Sequence, residues 1–337
     1  PTPQAQAAID EALQNGRPPQ FVIKSFDGAA DADMYDRWLA VAEETGARFT
    51  FYVSGIYLML ADVAEKYKPP RHQAGYSNLG GYAELGGSKS PVENLRDNFN
   101  NFNRAFAMGN EIGSHYVSHI CEPAQDWTGE EWTSEERQWE TLMLDASGFN
   151  GIDLPKPIFT RDNFHGGRTP CLVGEKPVLY QAMKAMGRTY DSSQNGPLGV
   201  WPDKDLGIWN LALPSIERIG SGYSQIAMDY NFYVNHGRTT DPGEQAAFEE
   251  NAYQSYMKAF RTVNGGTRGP LVVGSHFANW NGGAYLRAAE RLIRDVCTQP
   301  EVACVTAIAY TRWLDEQKPA DLKRWKAGDF PQAGAAG

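Results

Sequence analysis

Short apolar runs alternate with helix-period segments along most of this chain, and that alternation confines it to an α/β fold with parallel strands. Residues 21–26 read as a strand that ends at Ser25-Phe26-Asp27-Gly28. Tyr35, Trp38, Leu39 and Ala42 then recur at helical spacing, and Gly46 can take the left-handed stop. Phe49, Phe51 and Val53 alternate as a second strand, and Leu95, Phe99, Phe102 and Phe106 make one helix face closed by Gly109. Thr133 with Glu136 reads as a capping box, Pro177 and Asp241-Pro242 open two further helices, and 271–273 and 302–308 read as strands around a helix through Leu286 and Ile293. Strands separated by helices pair in parallel through right-handed crossovers, which leaves a barrel and a doubly wound sheet both open. Two stretches rich in Gly, Pro and Asn, 68–90 and 219–243, interrupt the rhythm and are expected to be binding walls or lids. The expected organisation is one domain over 19–320, an N-terminal extension over 1–18 and a loose tail over 321–337.

Charge and composition remove several classes of function. The 337 residues carry 31 Lys plus Arg against 41 Asp plus Glu, a formal net charge of −10. A nucleic-acid grip needs a basic surface that displaces counterions, so no nucleic-acid partner is expected. No long uncharged apolar run is present, so no membrane span is expected. There is no G-x-S-x-G elbow, no G-x-G-x-x-G and no P-loop, which argues against serine hydrolases and nucleotide enzymes. The four cysteines, Cys121, Cys171, Cys297 and Cys304, contain no C-x-x-C and are compatible with two disulfides or four thiols. Opening at Pro1, the chain reads as a processed product, which points to a secreted or periplasmic setting.

The strongest chemical signal is Gly113-Ser114-His115-Tyr116-Val117-Ser118-His119. Two imidazoles four residues apart can face one metal ion, although Tyr116 excludes the H-E-x-x-H motif. Asp27 and His276 each follow an apolar strand, and Asp191 follows the short run Arg188-Thr189-Tyr190. In a parallel α/β barrel, functional groups gather where strands end. Trp201, Trp209 and Trp280 fall in expected loops, where aromatic faces can stack on sugar rings. His72, His165 and His236 carry less weight, each without a partner in the pattern.

Taken in order, Ser25-Phe26-Asp27, the 109–119 segment, Arg168-Thr169-Pro170, Tyr190-Asp191-Ser192-Ser193 and Gly274-Ser275-His276 resemble the five motifs of the polysaccharide deacetylases, carbohydrate esterase family four, in its chitin-deacetylase-like branch. The resemblance implies a distorted (β/α) barrel with fewer than eight strands and long βα loops. It implies a hydrolase that removes acetyl groups from an acetylated carbohydrate with a divalent metal, usually zinc. It assigns Asp27 as general base, and His115 and His119 as metal ligands. Arg168 would orient the base, Asp191 would tune the acid, and His276 would be that acid. Cys171 would offer its backbone N–H to the oxyanion, and Tyr190, Trp209 and Trp280 would line the substrate site. One position departs from the pattern: the family's second aspartate, a metal ligand, is Gly28 here. Asp27 could then be the metal ligand and leave the base role to another group, Asp31 or Asp33 could supply the missing oxygen, the site could hold metal weakly through His115 and His119, or the chain could bind carbohydrate without turning it over.

Overall fold

A computed structural model of the chain describes residues 1–79 and 89–332. Its strands are β1 (Gln20–Asp27), β2 (Thr50–Val53), β3 (Glu111–Ser114), β4 (Gly166–Gly167), β5 (Tyr190–Asp191), β6 (Asn195–Pro197), β7 (Lys204–Asp205), β8 (Ile208–Asn210), β9 (Leu213–Glu217), β10 (Ser224–Ile226), β11 (Leu271–His276) and β12 (Val302–Cys304). Its α-helices are α1 (Pro3–Gln14), α2 (Ala32–Thr45), α3 (Pro91–Ala107), α4 (Gly129–Leu144), α5 (Ala146–Asn150), α6 (Lys176–Ala185), α7 (Asp229–His236), α8 (Pro242–Asn264), α9 (Ala284–Val296), α10 (Ala307–Glu316) and α11 (Pro319–Lys326).

The main sheet runs β11-β1-β2-β3-β4-β5-β8-β7, with β12 beside the start of β1. Every pair from β11 through β8 is parallel, and only β7 closes the edge antiparallel. The sheet curls into an incomplete barrel with seven strands in its parallel run, so the barrel alternative is the one realised. A second sheet, β10-β9-β6, stands beside it. Alternation along β1 explains both cores. Val22 and Phe26 pack outward with Trp38 and Leu292 against the helices, while Phe21 and Ile23 pack with Tyr52 and Val272. Ser25 and Asp27 continue the inward row to the C-terminal mouth. Among the described residues no helix is long and apolar enough to cross a membrane.

Several boundaries differ from the sequence expectation. α4 starts earlier, because Thr128 and Glu131 form the capping box; the Thr133 hydroxyl instead bonds the Gly129 carbonyl, and Glu136 turns inward to Arg188. The last strand stops at Cys304, since Thr306 caps α10. Part of the expected tail packs on the body: Trp325 of α11 is buried and stacks on Trp313 at 5.5 Å. Residues 333–337 lie outside the described residues, as do 80–88 of the expected wall 68–90. The extension 1–18 forms α1, whose Ala5, Ile9 and Ala12 are buried. The stretch 219–243 is no bare loop, for it contains β10 and α7. All four cysteines are paired, Cys121 with Cys171 and Cys297 with Cys304.

Candidate active site

Asp27 ends β1, and its parallel neighbour on β11 is His276. A carboxylate and an imidazole therefore stand side by side at the C-terminal mouth, where a parallel barrel keeps its chemistry. Each is held by a different buried partner. Arg168, fully buried in the loop after β4, donates from Nη1 to Asp27 Oδ1 at 2.7 Å and to Ser25 Oγ at 3.0 Å. Its Nε and Nη2 bond the Ser192 carbonyl and hydroxyl, and its guanidinium lies 4.8 Å from the Tyr52 ring. Burial pushes the Asp27 pKa up, but Arg168, with smaller help from the neighbouring histidines, outweighs it and holds the carboxyl below its ordinary value.

His276 pairs with Asp229, not with the expected Asp191. Asp229 Oδ1 lies 2.8 Å from His276 Nδ1, and its Oδ2 accepts the His276 backbone N–H at 2.7 Å. Burial lowers the His276 pKa, yet the Asp229 carboxylate more than offsets it, so the imidazole is held above its ordinary value. Asp191 instead sits under the Arg168 loop. It accepts from the Ser193 hydroxyl and backbone and from Tyr180 Oη, and Ser193 Oγ accepts the Thr169 N–H at 2.8 Å. Burial raises its carboxyl to about 6. Its role is to set the loop that carries Arg168. Sequence reasoning missed Asp229 because it lies in the stretch read as a loop. The available signal was Ile226-Ala227-Met228-Asp229, a short apolar run ending in an acid, as β1 does.

The two histidines of the 113–119 segment lie together, ring centroids 5.4 Å apart. The segment turns sharply after β3, with Tyr116 and His119 both in the left-handed region at φ near 57° and 56°. Buried Glu135 holds it by accepting the Val117 N–H at 3.1 Å, and Tyr67 Oη bridges Glu135 and Ser118 Oγ. His115 Nδ1 is 2.7 Å from the Arg168 carbonyl oxygen. That contact makes Nδ1 the protonated nitrogen and leaves Nε2 with its lone pair, as second partners do for metal-bound imidazoles. Burial lowers His115 to about 3 and also lowers His119, so both are neutral near pH 7. Two neutral imidazoles fit a divalent transition ion.

The third protein ligand does not fit the family set. Gly28 has no side chain, Asp31 Oδ1 caps α2 by accepting the Met34 N–H at 2.9 Å, and Asp33 is exposed. Among the described residues, the one group of three ligating side chains with all ligand atoms within 4.8 Å is His119, Cys121 and Cys171, and Asp27 is not in it. Gly28→Asp is therefore expected to tighten divalent-metal binding roughly tenfold or more. A Cβ there would meet Tyr57 Cε2 at 3.6 Å, ordinary contact, but φ is +66°. The left-handed backbone should cost about 1–2 kcal/mol of stability. Zinc titration and thermal melting of the variant check both effects, and an unchanged or weaker affinity contradicts the first.

The remaining expected residues divide. Cys171, exposed at φ 54°, lies in the loop just past Arg168, tied to Cys121. Trp280 is half-buried beside His276 at 5.1 Å, and it joins Tyr230 at 5.4 Å and Tyr233 at 5.2 Å in an aromatic wall. Tyr190 and Trp209 do not line a cleft. Tyr190 is fully buried and donates to Glu111, while Trp209 is buried and donates its Nε1–H to Asp315. Trp201 packs near Trp325. His72 stacks on Tyr76, His165 bonds Arg312, and His236 bonds Tyr285 and Asn251, so none of the three joins the site.

No protein-family model matches the sequence, and no curated protein matches it. Solved structures do. A protein from Mycobacterium smegmatis described as a polysaccharide deacetylase superposes with a TM-score of 0.53 at 14% identity, over 89% of this chain and 93% of that one. The Xyl-CE4 domain of a multidomain xylanase from the hindgut metagenome of Trinervitermes trinervoides aligns at 0.45 and 11% identity, covering 89% and 93%. BA3943 of Bacillus anthracis, a CE4 family pseudoenzyme, aligns at 0.44 and 8%, covering 86% and 65%. At such identities the likeness is one of fold, and the first of the three carries it: the barrel is of the polysaccharide-deacetylase type.

Proposed function

We propose that the chain is a hydrolase that removes acetyl groups from an acetylated carbohydrate, with Asp27 as base and His276 as acid. The observation that carries this reading is the pair of adjacent strand ends, Asp27 beside His276, each bonded to a buried partner of opposite charge. Arg168 favours the ionised form of Asp27, and Asp229 favours the protonated form of His276. Environments that push two neighbouring groups apart in this way mark acid and base assignments.

A divalent ion such as zinc, held by His115 and His119, would supply Lewis acidity toward water and the acetyl carbonyl. Asp27 takes the proton of the attacking water on the oxygen that Arg168 does not hold. The Cys171 backbone N–H donates to the oxyanion. His276 gives its proton to the departing amine or alkoxide, and acetate leaves. Asp229 fixes the imidazole orientation and stabilises its charged form. Tyr230, Tyr233 and Trp280 present aromatic faces beside the acid, the surface a sugar ring stacks on. Paired cysteines fit a secreted or periplasmic location.

Gly28 favours a second reading, a sugar-binding homologue with little or no turnover. Acetate release from N-acetylglucosamine oligomers and acetylated xylan, with zinc, cobalt or nickel supplied, separates the two. Release supports the hydrolase; binding of the same glycans without release supports the alternative.

The Asp229–His276 pair also fixes a pH response. His276 must be protonated to act, and its raised pKa extends activity toward alkaline pH. Asp229→Asn removes the charge that raises it, so the alkaline limb of the rate profile is expected to move to lower pH. An alkaline limb left in place would separate Asp229 from the acid's function.

A further inference from the structure

We propose that Cys121, Cys171 and His119 form a second, redox-gated metal site: once the disulfide is reduced, two thiolates and one imidazole take a soft divalent ion such as zinc, leaving one open position. The site shares His119 with the pair described above but does not depend on the hydrolase reading.

Three donors already converge. The ligand atoms of His119, Cys121 and Cys171 all lie within 4.8 Å of one another, and Cys121 Sγ is 3.9 Å from His119 Nδ1. Tetrahedral zinc with sulfur at about 2.3 Å and nitrogen at about 2.0 Å places its donors roughly 3.5–3.8 Å apart. The Cys121–His119 spacing therefore needs almost no change, and the two sulfurs need only swing apart by rotation of side chains. Two loops supply the set: Cys121 follows His119 by two residues after β3, and Cys171 follows Arg168 after β4. His119, Cys171 and Leu172 all hold φ between 54° and 56°, a conformation L-residues rarely adopt. Tight backbone of this kind keeps donors from separate loops together and recurs at functional sites. Cys171 is exposed, so a reductant can reach the bridge.

The chemistry balances with a dithiol as reductant. The dithiol gives two electrons and two protons and closes to its own disulfide. The Cys121–Cys171 bond breaks, and each sulfur gains one hydrogen. Binding of a divalent ion then releases those two protons to solvent, and two thiolates with one neutral imidazole leave the site without net charge. Thiolate donors select zinc over magnesium or calcium. Since His119 can serve only one centre fully, filling this site withdraws a ligand from the His115 side.

The test is a cobalt titration of whole protein, oxidised or reduced with dithiothreitol that is then removed without air. The reduced protein should develop thiolate-to-cobalt charge-transfer absorption that zinc abolishes, and the oxidised protein should not. His115→Ala should keep the band, because His115 is not a ligand here. Cys121→Ser, Cys171→Ser and His119→Ala should each weaken cobalt affinity at least tenfold. Replacing Cys297 and Cys304 by serine should leave the band intact. The proposal is overturned if reduced protein with four titratable thiols shows no band, or if the band survives Cys121→Ser and Cys171→Ser alike. Failure of the hydrolase reading would appear separately, as absent acetate release from oxidised protein whose band behaves as stated.

Discussion

Replacing Arg168 by methionine is expected to destabilise the protein by about 3–5 kcal/mol, the usual cost of stripping one partner from a buried ion pair. Arg168 is fully buried and Asp27 is 3% exposed, so water cannot stand in for the lost guanidinium. The same substitution removes bonds to Ser25 and to the Ser192 carbonyl and hydroxyl, which tie β1 to the end of β5. Methionine fills similar volume, so a cavity contributes little. The pH dependence identifies the cause. In the native protein Asp27 titrates below its unfolded value, so its contribution is present above about pH 4 and is lost as pH falls through the lower folded pKa. Without Arg168, desolvation dominates and raises the Asp27 pKa above the unfolded value. The deficit of the variant should therefore narrow on acidification, as Asp27 takes up a proton. Chemical denaturation at several pH values checks this; a loss independent of pH would assign the cost to packing instead.

Asp27→Asn is expected to lower acetate release by about 100- to 10,000-fold, the range for removing a positioned general base. Asparagine keeps the shape and one oxygen for Arg168, so stability should fall only by about 1–3 kcal/mol, the cost of weakening a buried charged hydrogen bond. Metal affinity discriminates between the two roles the sequence allowed for Asp27. If Asp27 is the base, zinc binding by the variant should stay within a few-fold of native. A collapse in affinity that parallels the loss of turnover would make Asp27 a ligand and move the base elsewhere.

The parallel α/β class was legible because the long elements keep a clear period: β1, α2, α3, α9 and β11 all emerge from apolar spacing, and Asp27 and His276 stand at the ends of the two longest parallel strands; the choice of a barrel came from the family resemblance. The family resemblance placed Asp191 beside the acid, whereas the hydrogen bond to His276 comes from another carboxylate. Asp191 points beneath the Arg168 loop, and the acid's partner is Asp229, carried by a three-residue strand and a short helix within a stretch rich in Gly and Asn. Such short elements are held by their neighbours rather than by their own pattern: β10 pairs with β9, and Met228 bridges to Gly274 of β11. Tyr190 and Trp209 were misjudged for the same reason. On strands of two and three residues no alternation exists to say which side chain faces inward. The disulfide partner of Cys121 lies 50 residues away, a pairing that only the approach of the loops after β3 and β4 decides.

The proposed chemistry needs His115 and His119 to grip a cation between the base Asp27 and the acid His276. Calorimetric titration of zinc into metal-free, oxidised protein tests it most directly, with native protein and His115→Ala run side by side. Native protein should take up one saturable equivalent, and the variant should lose it. Native protein that binds no zinc, or a variant that binds as tightly as native, would contradict it.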